Sequence, residues 1–372
     1  MDKIEAEKRI EDGSVWDEFC DRLKAAGKLL SQRGVPGDLQ TRADGYRYLT
    51  RMLRAGLESS VDYADPQYPA FFRLADETKK ILNDNPDAYY QNCVIDGRFD
   101  YRISGTRGTT RWLSFGTKGG AGDPGGMKST GEIDATDMEI GPDGTFELFV
   151  SSTPKPGNWL PMKEDSRIMV VRQTYGVKEE ERIAELKIEC LNPERPNNNL
   201  VPSELEEQLQ RTMGFLEATV QIGVDWMNMY LDTTLNKLPK HDQKMLHAAG
   251  GDPNICYYQS YWKLAPDEAL LVTLDDIPEC QIWSLQVSNY WMESLDHRFF
   301  KIGVNKFNAT YEPDGSARIV IAHEDPGPSY PNWLHTLGNG EGGMLGRFVQ
   351  SPNPPDEMKA EVVKLAELRK DA

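Results

Sequence analysis

The chain has 372 residues, 39% of them hydrophobic and 27% charged, and a formal net charge of −17, a composition typical of a soluble globular protein. This length exceeds what one compact core usually supports, so we expect two domains. The acidic excess disfavours nucleic acid and anionic membrane surfaces as partners. The charged N-terminal segment resembles no signal peptide, no long apolar run is present, and the five cysteines form no C-x-x-C pair. We therefore expect a cytoplasmic protein with reduced thiols.

The first region, residues 1–84, is predicted to be helical. Trp16, Phe19 and Leu23 lie on the apolar face of a charged amphipathic segment over 1–33. A second helical pattern follows, in which apolar residues recur at intervals of three or four. Its members are Leu39, Ala43, Tyr46, Leu49 and Leu53.

Two later segments, 85–176 and 251–350, carry the same landmarks in the same order. The landmarks of the first are Tyr89-Tyr90-Gln91, Trp112, Asp143-Gly144 and Asn158-Trp159-Leu160. Those of the second are Tyr257-Tyr258-Gln259, Trp283, Asp314-Gly315 and Asn332-Trp333-Leu334. Four landmarks at nearly constant offsets predict an internal duplication.

Each copy is predicted to be rich in β-strands. Alternating apolar residues follow the D-G turn of both copies, at Phe146, Leu148 and Val150 and again at Ala317, Ile319 and Ile321. This pattern is a hairpin signal. Several short strands separated by turns favour a β-sandwich or jelly roll per copy. The predicted fold class is therefore α+β, with two tandem β-sandwich or jelly-roll-like domains, each preceded by helices.

The remaining regions are predicted to be helical. The region 177–250 is a helical linker, in which Ser203 and Glu206 form a capping box and the Pro/Asn-rich stretch 191–202 marks the boundary between the halves. Its helical pattern is carried by Leu205, Leu209, Met213, Leu216 and Val220. The tail 351–372 is predicted to end in a charged helix.

Several of these motifs resemble the bacterial family called domain of unknown function 1214. They are "IWSL", the D-G turn, "NWL" and a following strand that contains an arginine. The first copy keeps "NWLP" and "VVRQTY" with Arg172, whereas the second has His335 in place of the proline after "NWL". The resemblance covers 85–175 and 255–350. It implies β-sandwich domains with associated helices and no settled chemistry.

Features found in only one copy are the better candidates for function. The stretch between Trp283 and Asp314 is as long as that between Trp112 and Asp143. In the first copy it holds the neutral loop "KGGAGDPGG", whereas in the second it holds "NYWMESLDHRFF". The ionisable residues of the second stretch are Glu293, Asp296, His297 and Arg298.

The predicted catalytic residues are Asp296, His323, Asp325 and His335. Alternation places His323 on the core face of its strand, Asp325 follows at the strand end, and His335 comes directly after "NWL". Burial could tune such groups for acid–base work. The alternative is structural, with His323 as a hydrogen-bonded core histidine, Asp325 as a turn cap and His335 as a solvated loop residue.

A pocket in the second copy could also hold a ligand against aromatic and charged side chains. The predicted substrate-binding residues are Tyr290, Trp291, Glu293, Arg298, Tyr330, Asn332, Trp333 and Arg347. Asn332 and Trp333 recur in both copies, which favours a structural role in a turn and at the sandwich end. No histidine spacing typical of a metal site and no phosphate- or dinucleotide-binding motif occurs, so we expect neither metal nor cofactor.

Two functions are consistent with these features. The first is a cofactor-independent acid–base enzyme, a lyase, isomerase or hydrolase, that acts on a hydrophobic or aromatic small molecule in a pocket of the second repeat. The second is a non-catalytic module that binds carbohydrate or protein. The expected partner is a small-molecule substrate, not nucleic acid or a membrane. The sequence leaves open whether the chain forms a homo-oligomer.

Overall fold

The computed structural model describes residues 3–119 and 127–370 of the chain. Within them it shows six α-helices and four β-sheets, so the predicted α+β class is confirmed. Most of the neutral loop predicted between the third and fourth strands lies outside the described residues. None of the helices described here has the length and apolarity needed to cross a bilayer.

The first four helices pack against one another, and the longest of them also contacts the second repeat. The bounds of all six are α1 Lys3–Glu11, α2 Ser14–Ala26, α3 Leu39–Leu57, α4 Pro202–Thr233, α5 Gln243–Ala248 and α6 Leu365–Leu368. Helices α2, α3 and α4 bury their apolar faces together in one cluster, which also takes in Trp291 from the second repeat. The apolar face predicted for α4 is confirmed, because Leu209, Met213, Leu216 and Val220 are buried in this cluster. The face predicted for α3 is largely wrong: Leu39 and Tyr46 are 85% and 55% exposed, and the helix buries Tyr48 and Met52 beside the predicted Leu49. Trp16 of α2 is exposed as well, whereas Phe19 is buried.

Two helix starts show how local residues fix these bounds. The carboxylate of Asp38 accepts a 2.8 Å hydrogen bond from the backbone N–H of Thr41, which begins α3. Helix α4 begins at Pro202 and has no side-chain cap. The predicted capping box of Ser203 and Glu206 is wrong, because Pro202 already occupies the first helical position.

The first repeat consists of two four-stranded sheets. Its strands are β1 Ala88–Val94, β2 Tyr101–Thr106, β3 Trp112–Gly119, β4 Lys128–Asp134, β5 Thr145–Ser151, β6 Trp159–Pro161, β7 Ser166–Thr174 and β8 Glu185–Cys190. The sheets have the orders β1-β7-β3-β4 and β6-β5-β2-β8. Apolar side chains of both sheets, among them Phe115 and Leu148, form one buried core between them.

The second repeat has the same topology. A two-residue strand, β9 Leu238–Pro239, precedes it, and its own strands are β10 Ile255–Lys263, β11 Glu268–Leu274, β12 Ile282–Val287, β13 Gly303–Asn305, β14 Ala317–Ala322, β15 Trp333–His335, β16 Glu341–Val349 and β17 Glu357–Lys364. The sheet orders are β10-β16-β12-β13 and β15-β14-β11-β17-β9, and apart from the added edge strand β9 they match those of the first repeat strand for strand. This match confirms the duplication.

Two predictions about single elements are wrong. Strand β8 lies in the region predicted to be a helical linker, and β17 lies in the tail predicted to be a helix. Both strands pair with the edge of an existing sheet, β8 with β2 and β17 with β11. In β17, buried Met358 and the partly buried Ala360 alternate with more exposed residues, which is a strand period.

The D-G turns do not join paired strands as hairpins. Each leads from one sheet to the other, because β4 pairs with β3 whereas β5 pairs with β2. The turn chemistry is nevertheless the same in both repeats. Gly144 has φ +83° and Gly315 has φ +86°, a backbone conformation that favours glycine. The preceding Asp143 accepts a hydrogen bond from the N–H of Thr145.

Strand pairing shows which residues of the two repeats are equivalent. On β7, Arg172 lies opposite Tyr90, and on β16, Arg347 lies opposite Tyr257. Tyr257 is therefore the equivalent of Tyr90 and not of Tyr89, so this sequence landmark was one residue out of register.

The tryptophans Trp112 and Trp283 show the same slip of one residue. Trp112 belongs to an apolar cluster between the repeats, whereas Trp283 lies inside the core of the second repeat. Successive side chains of a strand point to opposite faces, so a slip of one residue exchanges a core position for an outer one. The outer faces of sheets β1-β7-β3-β4 and β10-β16-β12-β13 face each other across this cluster.

Candidate functional site

Asp296 and Arg298 lie in an exposed loop of the second repeat. The carboxylate of Asp296 accepts a 2.8 Å bond from Nη2 of Arg298 and a second bond from its Nε. These hydrogen bonds lower the pKa of Asp296 to about 2. Both predicted site residues are thus engaged with each other.

His323 and Asp325 have separate hydrogen-bond partners. Nδ1 of His323 lies 2.8 Å from Oγ1 of Thr336, and Nε2 lies 3.3 Å from the carbonyl oxygen of Leu264. The exposed carboxylate of Asp325 accepts a 2.8 Å bond from the N–H of Gly327 and closes a turn. These contacts correspond to the structural alternative for both residues.

His335 lies on the short strand β15. Its Nδ1 accepts a 2.9 Å bond from the N–H of Leu337, and its ring stacks on Trp333 at 5.1 Å. Desolvation lowers the pKa of His335, with a smaller contribution from the charge of His323. The two histidines are therefore neighbours, while Asp296 and Asp325 are held elsewhere by other partners.

The ionisable stretch found only in the second repeat docks the N-terminal helices. Trp291 is buried, and its indole N–H donates a 2.7 Å bond to the carbonyl of Thr41 on α3. Glu293 is buried too, forms an ion pair with Arg51, and has a pKa that burial raises. Tyr290 packs in the same helical cluster. This explains why the first repeat lacks these residues at the same place.

Asn332 and Trp333 hold the backbone of the second repeat together. The amide of Asn332 accepts from the N–H of Thr310 and donates to the carbonyls of Thr310 and Arg318. The indole of Trp333 donates to the carbonyl of Ala322. Tyr330 is buried below the Arg318 side chain, whose guanidinium lies 5.0 Å from its ring.

The first repeat makes the equivalent bonds. Asn158 contacts the backbone of Glu139 and Glu147, and Trp159 donates to the carbonyl of Ser151. A side-chain role shared by both copies serves the fold, as the repeat comparison predicts.

A cavity of about 210 Å³ lies between the facing sheets of the two repeats. Of the residues predicted to be catalytic or substrate-binding, Arg347 alone is part of its described wall. The wall is largely apolar and aromatic, with a few polar groups. Its apolar part includes Trp112, Val170, Trp226, Leu246, Ile255 and Leu345, and its polar part includes Asn83, Asp84, Asn85, Tyr90, Arg172, Tyr257, Gln259 and Arg347.

The arginines Arg172 and Arg347 are equivalent and both are buried. In the first repeat, Nη2 of Arg172 donates to the carbonyl of Gly250 at 2.7 Å, and Nη1 lies 3.2 Å from Oδ2 of Asp252. Asp252 is fully buried and accepts a further bond from the hydroxyl of Ser114. The charge of Arg172 is therefore paired.

Arg347 is held in the same way but by neutral groups. Its Nη2 donates to the carbonyl of Asn83 at 2.6 Å, and its Nη1 donates to Oε1 of Gln286 at 2.5 Å. Asn83 corresponds to Gly250, and both have positive φ angles. No carboxylate of residues 3–119 or 127–370 lies within 4.0 Å of the Arg347 guanidinium.

Two polar side chains on the cavity wall have no partner. Nε2 of Gln259 and both amide atoms of Asn83 are buried and make no hydrogen bond within the described residues. Each side chain is only 2% exposed. Buried polar groups are nearly always satisfied in folded proteins, so these amides indicate a place for a bound molecule or water.

Comparison with known proteins gives the family. The sequence pattern described as "Protein of unknown function (DUF1214)" matches residues 93–179 and 263–353. The chain belongs to the DUF1214 family. The predicted resemblance and the two tandem copies are thereby confirmed.

One solved structure shows the same fold over nearly the whole chain. The crystal structure of an uncharacterised protein from Burkholderia cenocepacia is 42% identical, with a TM-score of 0.93 over 97% of this chain and 99% of that chain. The VPA0106 protein from Vibrio parahaemolyticus is 11% identical, with a TM-score of 0.49 over 86% of this chain and 98% of that chain. No curated protein matches the sequence.

The DUF1214 repeats differ at one position that faces their arginines. The hydroxyl of Tyr257 accepts a bond from the N–H of Asp252, and the hydroxyl of Tyr90 accepts one from the N–H of Asn85. Asn85 is therefore the equivalent of Asp252. The two turns read Asn-Pro-Asp at 85–87 and Asp-Pro-Asn at 252–254, so the acid and the amide are exchanged.

The sequence contained a signal for this site that the landmark comparison missed. The exchanged tripeptides precede the two Tyr-Tyr pairs, but their equivalence shows only at the correct strand register. Asp84 is a second residue that sequence reasoning missed. It lies on the cavity wall, its carboxylate accepts bonds from the N–H and hydroxyl of Ser294, and burial raises its pKa.

No three His, Cys, Asp or Glu side chains in the described part of the chain cluster in a way that could hold a metal ion. The titratable side chains at the cavity are instead separate from one another, and each has its own hydrogen-bond partners. This arrangement suits the binding of an organic molecule between apolar walls and a few convergent polar groups.

Proposed function

We propose that this DUF1214 protein binds a small hydrophobic or aromatic molecule in the cavity between its two repeats. The observation that carries the proposal is the pair of buried, unpartnered amides, Gln259 and Asn83, on the wall of an otherwise apolar cavity. A ligand with a polar end would satisfy these amides, while its apolar body would replace water against Trp112, Trp226 and Leu345.

The cavity also sets the size of the ligand. A volume of about 210 Å³ suits one aromatic or alicyclic ring system with a short substituent better than a polysaccharide or a protein segment. This favours the small-molecule function over the carbohydrate- or protein-binding module. The second function remains an outcome of the test below.

Acid–base catalysis is a second proposal, supported by one titratable group. Asp84 is a buried carboxyl on the cavity wall, and burial raises its pKa even though Lys80 and the Ser294 hydrogen bonds act in the opposite direction. A carboxyl with a raised pKa can take up or release a proton nearer to neutral pH than an ordinary aspartate. The protein would then be a lyase, isomerase or hydrolase that needs no cofactor.

Binding is tested by filling the cavity. Neutral aromatic and alicyclic compounds are screened by isothermal titration calorimetry against the wild type and Leu345→Trp, whose larger side chain occupies the space of the ligand. The matched control is Val362→Trp on the exposed part of β17. We expect binding to the wild type and the control and loss of binding in Leu345→Trp. Equal affinity of all three proteins, or binding of glycans alone, would contradict the proposal.

Catalysis is tested on any ligand found in that screen. We expect Asp84→Asn to abolish turnover while leaving the affinity for the ligand within a few-fold. The competing variants are Asp296→Asn and His323→Ala, at the residues predicted from sequence. Loss of turnover in these variants and not in Asp84→Asn would place the chemistry in the second repeat.

The remaining sequence-based expectations belong to the same proposal. They are a cytoplasmic location and a bacterial source, and the oligomeric state is left open.

A further inference from the structure

We infer that the ligand of the inter-repeat cavity is a monocarboxylate, and that Arg347 binds its carboxylate group. This inference rests on the proposed function, because it assigns the polar end of the molecule that the cavity holds. It follows from a difference between two sites that the duplication made equivalent.

The first repeat shows what an arginine at this position needs. Asp252 reaches across from the turn before β10 and pairs with Arg172, and both side chains are almost completely buried. A buried charge is costly unless an opposite charge and hydrogen bonds compensate for it. In the first repeat, the chain supplies this compensation itself.

The second repeat keeps everything except the carboxylate. Asn85 forms the same turn as Asp252, because its Oδ1 accepts a bond from the N–H of Asp87 as that of Asp252 does from Asn254. The structural role is thus preserved while the negative charge is absent. Arg347 therefore presents a buried cation to the cavity with neutral partners only.

The nearest carboxylates are already engaged. Asp84 accepts two hydrogen bonds from Ser294, and Asp87 accepts one at 3.0 Å from the amide of Asn305. Both carboxyls are influenced by the charge of Arg347, yet burial raises the pKa of each. Lys80, whose Nζ bonds to the same Ser294, adds a further positive charge beside Asp84. Neither carboxylate therefore takes the place beside the Arg347 guanidinium that Asp252 takes beside Arg172.

The donors around Arg347 suit a carboxylate. The guanidinium is a planar fork that binds two carboxylate oxygens, and the unpartnered Nε2 of Gln259 adds a neutral donor on the same wall. The hydroxyl of Tyr90 accepts from Asn85, which leaves its own proton for donation. One unpaired guanidinium matches a single negative charge better than a phosphate dianion.

The test compares acids with their primary amides. Cinnamic, 1-naphthoic and octanoic acids and the matching amides are titrated at neutral pH into the wild type, Asn85→Asp and Asn254→Asp. Asn85→Asp supplies to Arg347 the carboxylate that Asp252 supplies to Arg172. Asn254→Asp adds the same charge at an exposed position of the mirrored turn and is the matched control.

We expect the wild type and Asn254→Asp to bind at least one acid about tenfold or more tightly than its amide, and Asn85→Asp to lose this preference. Arg347→Gln gives a second measurement, with the same loss expected. The neutral dye N-phenyl-1-naphthylamine, followed by fluorescence, reports the apolar cavity and should bind all of these proteins.

The possible failures are distinguishable. If the dye binds but acids and amides bind equally well, or if Asn85→Asp keeps the preference for acids, the carboxylate inference is wrong and the apolar cavity site stands. Tight binding of inorganic phosphate without any preference for organic acids would also overturn it. If neither the dye, the acids nor the amides bind, the proposed function fails as well.

Discussion

The two repeats hold equivalent arginines in the same pose but balance their charges differently. Arg172 has a buried carboxylate partner in Asp252, whereas Arg347 has the amide of Gln286 and a backbone carbonyl. Duplication made these sites alike, so the difference arose in an environment that otherwise stayed constant. In the first repeat, a carboxylate of the chain itself neutralises the buried arginine. In the second repeat, the equivalent carboxylate is absent.

The surroundings of each arginine changed together. Gln286 on β12 corresponds to Gly116 on β3, and Gly303 on β13 corresponds to Glu132 on β4. In the first repeat, the carboxylate of Glu132 covers Gly116, and in the second, Gln286 covers Gly303. Beside the arginine, the first repeat therefore has an acid on its edge strand, whereas the second has an amide on the neighbouring strand.

The largest effect is expected when Arg172 is removed. Arg172→Met should lower the free energy of unfolding by about 3–5 kcal/mol, because it leaves the buried carboxylate of Asp252 without its counter-charge. Arg347→Met removes the equivalent cation but strands no carboxylate, so its cost should be clearly smaller. Urea unfolding followed by circular dichroism measures both. Equal losses would show that the two arginines are structurally alike.

Asp252→Asn gives the next largest effect. It converts the first repeat to the neutral arrangement of the second, with the turn preserved because Asn85 forms the same turn. We expect a loss of about 1–3 kcal/mol, less than for Arg172→Met, because the buried group left behind still has hydrogen-bond partners. Asn254→Asp serves again as the control. A loss as large as that of Arg172→Met would contradict the view that the neutral arrangement is tolerated.

The fold itself was largely predictable from local patterns. The D-G turn and "NWL" recur because each fixes backbone geometry through its own side chains, as the bonds of Asn158 and Asn332 show. Such short-range chemistry leaves a signature in the sequence. The duplication and the α+β class therefore followed from it. The helical prediction for β17 failed because strand pairing with β11 outweighed a charged composition that resembles a helix.

The site was far less predictable, for a physical reason. It lies between the outer faces of two sheets, and the residues that face it depend on strand register, which a landmark comparison fixed only to within one residue. The one-residue error aligned Tyr257 with Tyr89 instead of Tyr90. The equivalence of Asn85 and Asp252, and with it the exchange of amide and acid, was therefore missed. The ionisable stretch around Glu293 attracted attention instead, although its charges dock helix α3.

A smaller effect tests the features that the repeats share. Asn158→Ala and Asn332→Ala should each cost about 1–3 kcal/mol of unfolding free energy, because each removes an amide that bridges backbone groups in its repeat. The two losses should agree closely, in contrast to the arginine variants. Thermal and urea unfolding of both variants provide the measurement. A large inequality would mean that only one "NWL" segment is structural.

The smallest effect concerns His297, in the ionisable stretch that only the second repeat has. Desolvation, together with the charges of Lys80 and Lys178, lowers the pKa of His297 from its ordinary value of 6.5 to about 4. Because the folded-state pKa lies below the unfolded-state pKa, the neutral form stabilises the fold at neutral pH. This contribution is lost as the pH falls from about 6.5 towards 4.

His297→Gln removes the titrating group while keeping a polar side chain of similar size. The variant should therefore lose less stability than the wild type between pH 6.5 and pH 4, and the two should respond alike above pH 7. Thermal unfolding across this pH range measures the difference. The control is His247→Gln, which makes the same substitution at a histidine outside this stretch and leaves His297 in place. Parallel pH profiles for the wild type and His297→Gln would mean that the acid sensitivity of the second repeat comes from other groups, such as the carboxylate of Asp296 at still lower pH.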